Sequence, residues 1–284
     1  MPLLLLWSIR RHRSPSLEMH CETGIDALPP SIAGLSLGSL VQGNAVEVVR
    51  DHHFFDLVEQ EVRSAHHSVH LENFLWKEGE VSVRTAAVLA DAARRGIRVR
   101  VLLDAMGGRR MNAATRRQLR DAGCRLAFFY RWSLRNLGVL SDRDHRKLVI
   151  SDGQRALVGG HCYTDAWLGE QNPTRELDAF DVSVRVSGPI VHSLQSAFSE
   201  NWAGETGELF EGGGVFPTLP PTGDVAIHAA FSKPERSAPA VKILHHAAIC
   251  IARRIWIQNP ISFPSPRPSM RLALRWRVEW MCAC

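Results

Sequence analysis

From Val46 onward two hydrophobic rhythms alternate along the chain. Apolar residues at Phe54, Leu57, Val58, Val62 and Ala65 recur at three- and four-residue spacing and predict a helix, and Ser68 to Phe74 follows as a short strand. The order repeats: Val83, Ala86, Ala87, Ala90 and Ala93 share one helix face, Gly96 ends it, and Ile97 to Leu103 is rich in β-branched residues. A third helix is expected from about Asn112 to Ala122, then a strand from Arg125 to Tyr130. Leu148 to Ile150 and Ala156 to Val158 form a hairpin about the Asp152-Gly153 turn. Val182 to Val186 adds a strand, and Gly188-Pro189 opens a helix reaching Trp202. This alternation predicts an α/β fold with a mixed, largely parallel sheet flanked by helices, whose ligands sit at the carboxyl edge of the strands.

Breaks in the pattern divide the chain. Residues 1–43 read as a leader of loops with Pro29-Pro30, and residues 44–210 as the principal domain. Residues 211–223, with three consecutive glycines and three prolines, read as a linker. Residues 224–260 read as the start of an incomplete second repeat. Ile255-Trp256-Ile257-Gln258-Asn259 aligns with Val69-His70-Leu71-Glu72-Asn73, and the pairs His245-His246 and His66-His67 precede them. Residues 261–284, where prolines give way to crowded Arg, Trp and Cys without a period, read as an aberrant tail, either frameshifted or a genuine short end.

Composition narrows the class. With 45% hydrophobic and 22% charged residues in 284, the chain is an ordinary globular protein with room for one large or two medium domains, which excludes disordered and fibrous classes. A net charge of +5 suits an anionic partner without choosing between lipid headgroups and nucleic acid. Six cysteines without a C-x-x-C pair argue against a zinc site and point to a reducing, cytoplasmic setting. The run Leu3 to Leu6 is too short to span a bilayer, so any lipid contact is peripheral. His52-His53 and His66-His67 are adjacent pairs whose side chains diverge by about 100° on a helix, which suits solvated surface better than chelation. Phe128, Phe129, Tyr130 and Trp132, near Arg131 and Arg135, fit a strand entering the core, with stacking on bases or lipid as the alternative.

The chemistry concentrates at residues 145–160. His145, Lys147 and Asp152 form H-x-K-x4-D, and Gly159-Gly160 follows. Lysine is scarce, with only Lys77, Lys147, Lys233 and Lys242 against thirty arginines, so a lysine at this spacing carries weight. Two residues apart on a strand, His145 and Lys147 project together. A neutral imidazole can attack phosphorus to form a phosphohistidine while an ammonium steadies the equatorial oxygens. Asp152 either holds the turn or takes part in catalysis. Asp181 either orients His145 or caps the start of a strand. The glycines admit either a phosphate or a tight bend.

These residues resemble the HKD motif of the phospholipase D superfamily. Glu72-Asn73-Phe74, the run from Gly96 to Asp104, Asp144-His145-Arg146-Lys147, and Asp181 with Gly188-Pro189, Phe198 and Trp202 resemble its bacterial cardiolipin synthase branch. The resemblance covers about residues 46–260. It implies a phospholipase D-like sandwich, a metal-independent and cofactor-free phosphatidyl transfer or hydrolysis on anionic phospholipid, and a pseudo-twofold site with two HKD histidines, one nucleophile and one general acid. His145, Lys147 and Asp152 are then the catalytic set, and Gly159, Gly160 and Asp181 bind or orient phosphate. Cys162 departs from the family, standing where an asparagine is usual, and the second HKD is missing from these residues. A partner histidine can come from a second copy of the chain in a homodimer. A nuclease built that way, with nucleic acid the less favoured partner, and an inactive remnant are the alternatives.

Overall fold

The computed structural model describes residue 33 and residues 38–131, 143–169 and 180–231, with the backbone of residues 256–257 and 279–280. One compact unit spans Val41–Ala229. Its sheet has eight strands: β1 (Leu40–Arg50), β2 (Ser68–Asn73), β3 (Arg98–Asp104), β4 (Arg125–Phe129), β5 (Leu148–Ser151), β6 (Arg155–Gly159), β7 (Val182–Ser187) and β8 (Val225–His228), in the spatial order β4-β3-β2-β5-β6-β7-β1-β8. Among the described residues four α-helices accompany it: α1 (His53–Ser64), α2 (Glu80–Arg94), α3 (Ala113–Asp121) and α4 (Val191–Thr206).

The helices fall on opposite faces because the strands alternate. Val69 and Leu71 of β2 face one way, into a core with Phe54, Val58 and Val62 of α1, Val81 and Leu89 of α2 and Leu119 of α3. His70 and Glu72 face the other way and meet Gln195 and Asn201 of α4. Every residue of β2 is buried, as a central strand covered on both faces must be. Each fully buried Val or Leu contributes roughly 1.5–3 kcal/mol.

The mixed α/β sheet flanked by helices is as expected, but its predominantly parallel character is not. Of the six pairings with a described register, β2–β3 and β3–β4 are parallel, whereas β2–β5, β5–β6, β6–β7 and β7–β1 are antiparallel. Helical crossovers α2 and α3 give the parallel edge. Beyond β5 the tight Asp152-Gly153 turn, with both residues at positive φ, forces the chain back on itself, and β1 joins from the amino-terminal side against β7.

Two boundaries also differ from expectation. Strand β1 begins inside the predicted leader, and the predicted linker packs on this unit: Val215 is buried, Gly214 O accepts from Ser68 Oγ at 2.9 Å, and Thr222 N donates to Gly43 O at 2.9 Å. The opening of the expected second repeat supplies β8 of the same sheet. Of residues 232–284, the described backbone is β9 (Trp256–Ile257) in parallel pairing with β10 (Glu279–Trp280). The Leu3 to Leu6 run, Trp132, Arg135, His245-His246 and most of the tail lie outside the described residues.

Candidate active site

Register places the chemistry at one end of the sheet. Glu72 pairs with Leu148, Leu148 with Val158, Gly159 with Ser183 and Val182 with Arg50. The carboxyl ends of β2, β3 and β6 therefore share an edge with the residues that lead into β5 and β7.

His145 lies in that lead-in, exposed, with its ring against Phe74 at 4.6 Å between centroids. Lys147 is only 7% exposed, and its Nζ donates to His145 O at 2.8 Å and to His145 Nδ1 at 3.1 Å. The two side chains expected to act together are in direct contact, one open to solvent and one sheathed. Burial and then the Lys147 charge push the His145 imidazole below its ordinary value, which favours its neutral form. Burial also lowers Lys147, while Cys162, Asp144 and Asp181 hold it up.

Asp152 is at the far end of β5. Its carboxylate accepts from the backbone N–H groups of His66 at 2.9 Å, His67 at 2.7 Å and Ser68 at 2.9 Å. This is the geometry of the turn-holding alternative, tying the β5–β6 turn to the start of β2, with the whole of β5 between Asp152 and His145. Direct catalysis by Asp152, the role its place in the motif suggested, has no support in this placement.

Asp181 Oδ1 accepts from Val182 N at 2.8 Å, as a strand-start cap does, and the Asp181 charge acts on Lys147. At Gly160 an added Cβ would fall on the Asp181 carboxylate, and at Gly159 it would strike Ser183 of β7. Close packing against β7 thus requires both glycines. Cys162 is buried near Lys147, and burial pushes its thiol up. His53, His66 and His67 are exposed and His52 is half-buried. Phe128 and Phe129 are half-buried, Phe128 under the Arg116 guanidinium at 5.1 Å and Phe129 stacked on Tyr130 at 4.1 Å.

Four residues around His145 carried no assigned role in the sequence. Asp104 Oδ2 accepts from Asp144 N at 3.0 Å, Asp144 Oδ1 accepts from Arg146 N at 3.1 Å, and Glu72 Oε1 accepts from Asn201 Nδ2 at 2.6 Å. The available signal was Glu72 itself, a carboxyl group in a strand otherwise fit for full burial.

The family described as cardiolipin synthase, phospholipase D-like domain, matches residues 58–202. Cardiolipin synthase A of Pseudomonas fluorescens is 29% identical over 249 residues, covering 86% of this chain and 50% of its own length. The major cardiolipin synthase ClsA of Bacillus subtilis is 31% identical over 228 residues, covering 78% and 47%. The chain spans about half the length of these curated relatives. Among solved structures, Nuc of Salmonella typhimurium, a phospholipase D family member, is similar with a TM-score of 0.43 and 16% identity, over 57% of this chain and 96% of that one.

Proposed function

The chain belongs to the cardiolipin synthase family of phospholipase D-like domains, and from that premise we propose that it cleaves the phosphodiester of an anionic phospholipid, with His145 as nucleophile and Lys147 as phosphate clamp. The observation that carries this reading is the 3.1 Å contact between Lys147 Nζ and an exposed His145 Nδ1.

The imidazole nitrogen attacks phosphorus, the N–P bond forms, and the bond to the leaving alcohol breaks. An alcohol of a second lipid, or water, then displaces the histidine and gives the transferred or hydrolysed phosphatidyl product. Charge on the non-bridging oxygens is met by the Lys147 ammonium. A neutral imidazole that accepts from Lys147 at Nδ1 carries its proton on Nε2, where it has no lone pair for phosphorus. Attack through Nε2 therefore requires Lys147 to leave the ring for the phosphate and the ring proton to move to Nδ1. Substrate binding itself supplies the competing anion.

The leaving alcohol needs an acid, and a single His145 cannot be neutral and protonated at once. A second HKD histidine, contributed by another copy of the chain, fills that role. Met106 at 56% exposure, followed closely in the chain by exposed Arg109 and Arg110, and Phe180 at 73% stand at the same sheet end as His145. That mixture favours peripheral contact with an anionic lipid surface over a purely cationic groove for nucleic acid.

Incubation of the full chain with phosphatidylglycerol vesicles and, separately, with plasmid DNA tests the reading. Lipid turnover with phosphate trapped on histidine, both absent in His145→Ala, is expected. Cleavage of DNA alone, or neither reaction, overturns it.

A further inference from the structure

The lead-in that delivers His145 rests on two carboxyl groups pressed together. Glu72 is fully buried and Asp144 is 4% exposed. One oxygen of each is already engaged, Glu72 Oε1 by Asn201 and Asp144 Oδ1 by the Arg146 backbone. The remaining oxygens, Glu72 Oε2 and Asp144 Oδ2, are buried where no N–H or hydroxyl reaches them. The two side chains lie close enough to hydrogen-bond to one another. Two carboxylates have no hydrogen to share, so such a bond requires one of them to be an acid. The other charged groups are few: Asp104 from β3, His145, Arg146 and Lys147 from the lead-in itself, and Glu200 from α4 by way of Arg146. The Arg146 guanidinium stands 4.0 Å from Glu72 and the Lys147 charge acts on Asp144, which together fall one short of the three negative charges that Glu72, Asp144 and Asp104 would carry.

We propose that Glu72 keeps a proton and donates it to Asp144, and that this acid–carboxylate bridge is the positioning device that fixes the His145 lead-in and leaves one anion of the pair, not two, beside the nucleophile. The direction of donation follows from chemistry. Glu72 lies deeper, and burial, then the Asp144 charge, push it well above the ordinary carboxylate range, while Asp144 is raised by burial but held down by the bonds it accepts. Asp144 and Asp104 both favour the protonated imidazole of His145. A further charge on Glu72 would press the same way and withdraw the neutral form that attacks.

The pH consequence has a definite sign. A group that binds its proton more tightly folded than unfolded contributes stability that is complete below its unfolded value and is lost as pH rises through its folded value. Ionisation of Glu72 would thus open the bridge at alkaline pH. Only the positioning part of this inference rests on the phosphatidyl-transfer reading; the shared proton stands on the burial and hydrogen bonding of Glu72 and Asp144.

Infrared difference spectroscopy on the full chain tests it. The wild type is expected to show the carbonyl stretch of a protonated carboxyl, sensitive to deuteration, that Glu72→Gln removes and His145→Ala retains. In thermal unfolding followed against pH, Glu72→Gln, which can still donate to Asp144 and accept from Asn201, is expected to hold its midpoint where the wild type declines under alkali. Glu72→Ala, lacking both bonds, should melt lower throughout. Absence of the band, or an alkaline decline in Glu72→Gln equal to the wild type, overturns the proposal. A band present in a protein that turns over no lipid upholds the bridge and defeats the phosphatidyl reading, so the two fail separately.

Discussion

At the Ser151 end of β5, Asp152 has both carboxylate oxygens engaged by three backbone N–H groups, and nothing there is left to react. At the Leu148 end, His145 is open to solvent, Lys147 is sheathed with its ammonium against the ring, and Glu72 and Asp144 are buried beneath them with one oxygen of each beyond the reach of any N–H. One motif, H-x-K-x4-D, thus straddles a four-residue strand, with the half proposed to react at one end and the half that holds the turn at the other. Satisfied polar groups stiffen a fold, and poorly satisfied ones at a solvent opening are where chemistry is done.

Substitution at the two ends should separate activity from stability. His145→Ala is expected to lower turnover on phosphatidylglycerol by roughly 10⁴-fold or more. Because His145 is exposed, its unfolding free energy should change by no more than about 0.5 kcal/mol. Asp152→Ala should do the reverse, losing roughly 3 kcal/mol of stability as three N–H groups lose a charged acceptor while turnover per folded molecule stays near wild type. Denaturant titration with turnover corrected for the folded fraction measures both. An Asp152→Ala protein that melts normally yet fails to turn over would erase the distinction.

Lys147→Met tests the reactive end more finely. Removing a cation that meets developing charge should reduce kcat by about 10²- to 10³-fold with a smaller effect on KM. Burial and Lys147 both hold His145 down. Loss of the lysine charge should therefore move the acid limb of the remaining activity to higher pH, since His145 must be neutral to attack. An unmoved limb would mean that the ammonium does not face the imidazole in solution.

Much of this arrangement was legible in the sequence. The apolar spacing from Phe54 to Ala65 anticipated α1, and Asp152-Gly153 anticipated the β5–β6 hairpin, because turn chemistry and helical period are local. The contact of His145 with Lys147 matches their two-residue spacing, although both precede β5 and do not lie on a strand as expected. What escaped was non-local. The strand β1 lacks a clean alternation because Val46 and Val48 sit on a lightly covered part of the sheet, at 40% and 59% exposure, so no apolar period marks it. The Gly and Pro residues of 212–221 advertise irregular backbone, and irregular backbone can pack on a sheet as readily as it can link domains. Glu72 and Asp144 became neighbours only when β2 and β5 paired, through the register that sets Glu72 opposite Leu148.

The smallest expected effect extends the contrast along β2. His70 and Glu72 share the α4 face, two residues apart, and respond to pH in opposite senses. Burial, with the Arg100 charge opposing the Gln195 hydrogen bond, lowers His70 to about 3. Its ring lies between Phe198 at 4.8 Å and Phe210 at 4.9 Å, with Nδ1 on Gln195 at 3.0 Å and Nε2 on Arg100 at 3.3 Å. An Nε2 that faces a guanidinium must accept, so His70 is neutral with its proton on Nδ1. A histidine depressed on folding supports stability in full above its unfolded value of 6.5 and gives it up as pH falls toward 3. His70→Phe, seated in the same aromatic stack, should lose about 1 kcal/mol at neutral pH for its missing hydrogen bonds and flatten the acid limb of the melting curve. The alkaline limb assigned to Glu72 should be untouched, since Glu208 already holds Arg100 in place at 2.7 Å whatever occupies position 70. If both limbs moved together, β2 would be titrating as one coupled unit, and the two ends of the strand lead-in could not be tuned apart.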